Sequence, residues 1–262
     1  MAQQFFRNAQ GYLLGTVTPA TAAGAQVTLS ATAQIPLLLE DFVLSFDQAD
    51  GVMINDFKLA GQSLMCSDQS FAGKAVSSVA QVESFRSVSC PIDQNQTFEV
   101  TVENSGTTPE KFGFAIGTTP IPRSEVIPTS RLGQALNVFF GLGRTAVIAA
   151  GASGTFSATA LRPCTLGRLV IVEDGQAGIH VNDLDGVEIT SIKVNNIELL
   201  SGDGSDNPIP AKACSPLATL QDDLLLAYPI ALNGNITIQV KNNSAVAKTL
   251  SGGIFVLPDL ME

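Results

Sequence analysis

The chain repeats itself, and that repetition limits what it can fold into more than any other feature. Residues 21–36 align without a gap on residues 148–163. Ala22, Ala23, Gly24, Ala25, Thr28, Ser30, Ala31, Thr32, Ala33 and Pro36 all recur 127 positions later. The apolar run at 42–46 lies in the same register opposite 169–173. Residues 52–59 then match 187–194 at a spacing of 135, and residues 91–104 match 229–242 at 138. The extra eight residues of the second copy fall in the loop that holds Gly175, His180 and Asp185. Three blocks in one order, with length changes confined to loops, define a tandem duplication.

Each block reads as strand. Phe98, Val100 and Val102 alternate with Glu99, Thr101 and Glu103, and Ile236, Ile238 and Val240 alternate with Thr237, Gln239 and Lys241. That period of two predicts a strand with one wet face. Asn104 and Asn242 end these runs, where Asn suits a turn with left-handed backbone. In the middle block Val52 and Ile54 share one parity while Phe57 and Leu59 take the other. Val187, Ile189, Ile192 and Val194 repeat the slip. A phase change at one place in both copies predicts a β-bulge that bends the strand.

Composition agrees. Hydrophobic residues make up 45% and charged residues 15%, with 23 Gly and 13 Pro punctuating short runs of Val, Ile, Thr and Phe. The expected fold is all-β: two tandem jelly-roll-like β-sandwiches or barrels related by internal duplication, each of ~110–120 residues with about eight strands. The expected divisions are an N-terminal arm over 1–14, a first barrel over 15–125, a linker with a short helix over 126–145, and a second barrel over 146–262. A further helix is expected over 217–227.

The sequence argues against catalysis. It holds one histidine, His180, in a polar loop present in the second copy alone, and no nucleophile–base motif accompanies it. The segment 141–145 lacks the lysine and spacing of a phosphate-cradling loop. Four cysteines (Cys66, Cys90, Cys164, Cys214) show no CxxC spacing and read as small buried thiols. Among the acidic turns, those with Asp47 and Asp50, Asp183 and Asp185, and Asp203 and Asp206 could offer oxygen ligands. None has the spacing of a calcium loop. Asp203 and Asp206 are the candidate calcium ligands that remain, and no metal, cofactor or catalytic residue is otherwise expected.

A net charge of −10 with 14 basic residues and no basic run excludes direct sequence-specific nucleic-acid binding. The absence of a basic start followed by a long apolar stretch predicts a chain made in a cytoplasm. That reading counts against an exported appendage subunit, and it makes the Asn95, Asn235 and Asn242 sequons chance matches. A carbohydrate- or ligand-binding tandem module is the alternative function, although the chain offers no Trp and only Tyr12 and Tyr228.

Through the duplication, the chain resembles the double jelly-roll major capsid proteins of icosahedral viruses. The resemblance is one of architecture across nearly the whole chain and carries no diagnostic motif. It implies a structural protein of the virion whose homotrimers pave a shell as pseudo-hexamers. Its implied contacts are neighbouring capsomers, other virion proteins or an internal membrane. It also implies that Phe5, Phe6, Arg7, Tyr12 and Leu14 of the arm face the virion interior or a neighbouring subunit; the alternative is that the segment simply leads into the first strand. With 262 residues, the chain is compact for that family and lacks long tower loops.

Overall fold

A computed structural model describes residues 7–8, 11–46, 49–77, 87–120, 139–180, 182–200, 208–218 and 225–257. Among them the fold is β throughout, broken by two single 3-10 turns at Gly73–Val76 and Ala211–Cys214. In the first repeat, one sheet runs β1 (Arg7–Asn8), β2 (Gly11–Thr21), β10 (Glu110–Pro120), β4 (Leu37–Phe46), β8 (Ser87–Ile92). The facing sheet runs β3 (Gln26–Thr32), β9 (Thr97–Asn104), β5 (Val52–Leu59), β6 (Gln62–Ser63), with β7 (Phe71–Ala72) also on β5.

The second repeat follows the same path. Its first sheet runs β11 (Phe139–Arg144), β19 (Thr249–Leu257), β13 (Cys164–Asp174), β17 (Leu225–Ile230). Its second runs β12 (Ser153–Thr159), β18 (Asn235–Asn242), β14 (Val187–Val194), β15 (Ile197–Glu198), with β16 (Ile209–Pro210) on β14. These are two jelly-roll sandwiches in tandem.

The registers superpose residue by residue. Gln26 pairs with Glu103 and Ser153 with Lys241. Leu38 pairs with Pro91 and Thr165 with Pro229. Phe42 pairs with Ile116 and Leu169 with Ile254. The bulge expected from the phase slip falls between Ile54 and Asp56 in β5, and between Ile189 and Ser191 in β14. There the strand turns its second half to a new facing, so Ile54 and Phe57, and likewise Ile189 and Ile192, all point inward.

One side-chain expectation is corrected. Asn104 and Asn242 are fully buried clamps, not left-handed turn residues. Asn104 Nδ2 donates to the Thr21 and Thr108 carbonyls, and its Oδ1 accepts from Gly106 N. Asn242 Nδ2 donates to the Ile148 and Val246 carbonyls, and its Oδ1 accepts from Ser244 N. Each of these backbone partners has its counterpart in the other repeat. In these two blocks the left-handed asparagine stands earlier, at Asn95 (φ 67°) and Asn233 (φ 62°), in the tight turns before β9 and β18.

Three segments differ from expectation. Phe139–Arg144 of the expected linker is strand β11, hydrogen-bonded to β19, while 121–138 lies outside the described residues. Leu225, Leu226 and Ala227 of the second expected helix belong to strand β17, and 219–224 lies outside the described residues. In the expected arm, Arg7–Asn8 and Gly11 onward pair as strands. For β11, β17 and β2, long-range pairing to a neighbouring strand decides the conformation, a term that local sequence does not contain.

Each sandwich has its own core. The first is aromatic: Phe42, Phe57, Phe98 and Phe114 meet with ring centroids 5.1 to 6.3 Å apart. The second sets Leu169, Ile192, Ile236 and Gly252 at the equivalent places and is built mainly of aliphatic side chains. The scaffold is conserved within the chain while its filling is not, as expected where total volume and pattern matter more than identity.

Candidate assembly interface

The residues singled out for chemistry in the sequence each meet a neighbouring group where they are described. His180 closes its own loop: its backbone N donates to Asp183 Oδ2 at 2.7 Å, and its Nε2 lies 2.8 Å from the Ala177 carbonyl. Asp50 caps Thr107, accepting from its backbone N and from Oγ1 at 2.7 Å. Asp185 pairs with Lys212 at 2.8 Å. Asp47, Asp203 and Asp206 lie outside the described residues. No group of three metal-binding side chains occurs among the described residues. Cys66, Cys164 and Cys214 are buried thiols, and burial pushes that of Cys214 up to about 12, which suits a packing residue rather than a nucleophile.

The elaborate part of the molecule is the joint between the two sandwiches. From the first repeat, the segment 64–70, β7 and the following 3-10 turn form one face. From the second, the outer side of β11, β19 and β13 forms the other. Phe71 projects from β7 onto that sheet, with its ring 5.0 Å from Phe139 and 5.2 Å from Phe255. Phe139 in turn stacks on Phe57 at 4.1 Å, and Val170 and Val172 pack into the first core as well.

The close fit depends on two glycines. A Cβ on Gly253 would stand 2.3 Å from the Phe71 ring, and one on Gly141 would stand 2.0 Å from the Gln69 carbonyl. Backbone hydrogen bonds stitch the edges. Cys66 N donates to the Phe139 carbonyl, Leu161 N to that of Cys66, Gly143 N to that of Ser70, and Gly175 N to that of Asp50.

Charge is buried in this joint. Lys74, on the first 3-10 turn, is fully enclosed and donates from Nζ to the backbone carbonyls of Glu173 at 3.0 Å and Gln176 at 2.8 Å. Burial pulls its pKa below the usual lysine value, opposed by Asp174, Asp183, Asp50 and Glu173 nearby. Lys248 pairs with Glu173 Oε2 at 2.5 Å. Asp174 sits 3.0 Å from Arg144 Nε and accepts from Ser251 Oγ, while Arg144 Nη1 crosses the joint to the Ser105 carbonyl. Burial nonetheless pushes Asp174 up to about 6, against the pull of Lys74 and Arg144.

Sequence reasoning missed these residues, although a signal for Lys74 was there. Lys74, Ala75 and Ser77 recur as Lys212, Ala213 and Ser215, 138 positions on, in the second 3-10 turn. The repeated lysine has two fates: Lys74 is enclosed by the other sandwich, and Lys212 is exposed beside Asp185.

The duplication also reveals the symmetry of the contact. Phe71 and Lys74 correspond to Ile209 and Lys212, whereas Gly253 and Val170 correspond to Ala115 and Val43. The joint therefore brings together two different surfaces of one fold, head to tail, rather than one surface with itself.

Fold and joint together define a tandem jelly-roll protein whose elaborated feature is the contact between its own two sandwiches. No known protein family matches the chain, and no curated protein matches it. Among solved structures, the crystal structure of the STIV MCP is similar at 10% sequence identity, with a TM-score of 0.37 over 95% of this chain and 98% of that chain.

Proposed function

We propose that the protein is a structural, self-assembling subunit, a viral major capsid protein that forms homotrimers and works in the virion rather than as an enzyme. The observation that carries this reading is the head-to-tail joint. Among the described residues, a contact between unlike faces of two equivalent sandwiches leaves the counterpart faces without such a contact inside the chain. Such a contact propagates from chain to chain until the rotation closes it into a ring. Three chains, each with one sandwich within 15–125 and one within 146–262, would supply six units to a pseudo-hexameric capsomer. The acidic balance of the chain suits contact with neighbouring capsomers, other virion proteins or membrane-associated partners rather than a bare genome.

Size-exclusion chromatography with light scattering, followed by electron microscopy, tests the reading. Homotrimers with six-fold-like density, or closed particles, are expected. A chain that stays monomeric at every concentration while binding a glycan or small ligand would overturn it in favour of a tandem binding module.

A further inference from the structure

We infer that the surface of the second sandwich around Ile209, Lys212 and Asp185 is a docking face for a second copy of this chain, which it meets on the outer sheet of that copy's first sandwich at Val17, Val43 and Ala115. The inference rests on the self-assembly reading above and specifies which surfaces meet. Its starting point is that one instance of the contact is already formed inside each chain, so the other instance can be read off by equivalence.

The apolar part of the contact exchanges bulk between its two sides. Inside the chain, Phe71 lies on Gly253, where no side chain could stand. At the equivalent places the knob is Ile209 and the seat is Ala115, so a smaller knob meets a filled seat and the combined volume is roughly kept. Ile209 is only partly buried, Ala115 is exposed, and beside it Val43 is half-covered where its counterpart Val170 is fully enclosed by the joint. Val17, at the position of the joint-crossing Arg144, is 66% exposed, a large apolar side chain left in water.

The polar part is kept as a pair. Lys74 has Asp50 near it in the first repeat, and Lys212 has Asp185 at the matching positions in the second. In the first repeat the lysine is capped by backbone carbonyls of Glu173 and Gln176 from the other sandwich. In the second, both members of the pair stand open, with side-chain exposures of 46% for Lys212 and 55% for Asp185. On the docked copy the carbonyl of Phe46 takes the position that Glu173 holds in the joint. The eight extra residues in the loop after Asp174 supply Gln176 to the internal contact alone. The internal joint is thus the reinforced version, and the contact between chains is a lighter, reversible one suited to assembly.

The test uses the full chain carrying Ile209→Cys and Ala115→Cys together, treated with a short bismaleimide at assembly concentration. The double variant is expected to give covalent multimers in at least tenfold excess over wild type. Each single variant is expected to stay at wild-type background, because unlike faces meet. Cross-linking by Ile209→Cys alone would mean the face meets itself and would overturn the inference. A second measurement guards against a folding defect. Ala115→Arg, at an exposed site, should keep the wild-type melting curve yet lose multimers at least tenfold. If Ala115→Arg still assembles like wild type, the docking face is wrong while self-assembly stands. If wild type itself never leaves the monomer, the self-assembly reading fails and this inference fails with it.

Discussion

Asn104 and Asn242 show how much a single side chain can hold. Each amide lies at the end of a strand with no exposed surface and closes a loop by donating to two backbone carbonyls. Removing the amide takes a hydrogen bond from each of these backbone groups, at about 1–3 kcal/mol per truncation. Asn104→Ala and Asn242→Ala should therefore each lower unfolding stability by about 2 kcal/mol, with no change in the slope of denaturant unfolding followed by circular dichroism. An effect below about 0.5 kcal/mol at either site would mean that water replaces the clamp. The sequence placed a polar, turn-compatible residue at both strand ends but not its role. Asn can either adopt left-handed backbone or bond it, and only the surrounding loop decides between them.

Among elements, legibility followed the range of the forces involved. The bulges in β5 and β14 were readable because a change of parity is recorded in the strand itself. Strand β11 was not, since the apolar run around Phe139 and Phe140 gains its extended form from β19, more than a hundred residues away. The same applies to the glycines of β11 and β19. Glycine ordinarily weakens a strand, whereas in this fold Gly141 and Gly253 seat another sandwich. Gly253→Ala makes this measurable. In an open strand the change would be neutral or mildly stabilising, but here it drives a methyl against the enclosed Phe71 ring. A destabilisation of about 1–3 kcal/mol is expected by thermal or denaturant melting. The equivalent open site, where Ala115 already carries that methyl, shows the packing consequence of leaving the face uncovered.

At the level of the whole molecule, the duplication predicts two similar bodies and is silent on how they meet. The repeated lysine and the repeated sheet face do not say which copy is covered, since each occurs twice and only one of each is enclosed. What betrays the joint physically is its buried charge. Asp174 has a carboxyl raised to about 6 in the fold against 3.8 as its ordinary value. The folded protein therefore binds more protons than the unfolded chain between those limits, so this group adds stability as pH falls from 6 towards 4. About two units correspond to about 3 kcal/mol. Asp50 and Glu198 act in the opposite sense but in a lower window. Burial raises them, yet hydrogen bonds from Thr107 to the one, and from Ser191, Ile192 and Leu200 to the other, hold both below their ordinary values, so their contribution is lost only in stronger acid. Melting temperature measured from pH 7 to pH 4.5 should thus rise for wild type relative to Asp174→Asn, which lacks this carboxyl while keeping Lys74 and Arg144 in place. The gap between the two curves should move by several degrees through pH 6. A gap that stays constant over that range would mean that Lys74 and Arg144 together keep Asp174 ionised throughout, and that acid does not tighten the seam between the two sandwiches.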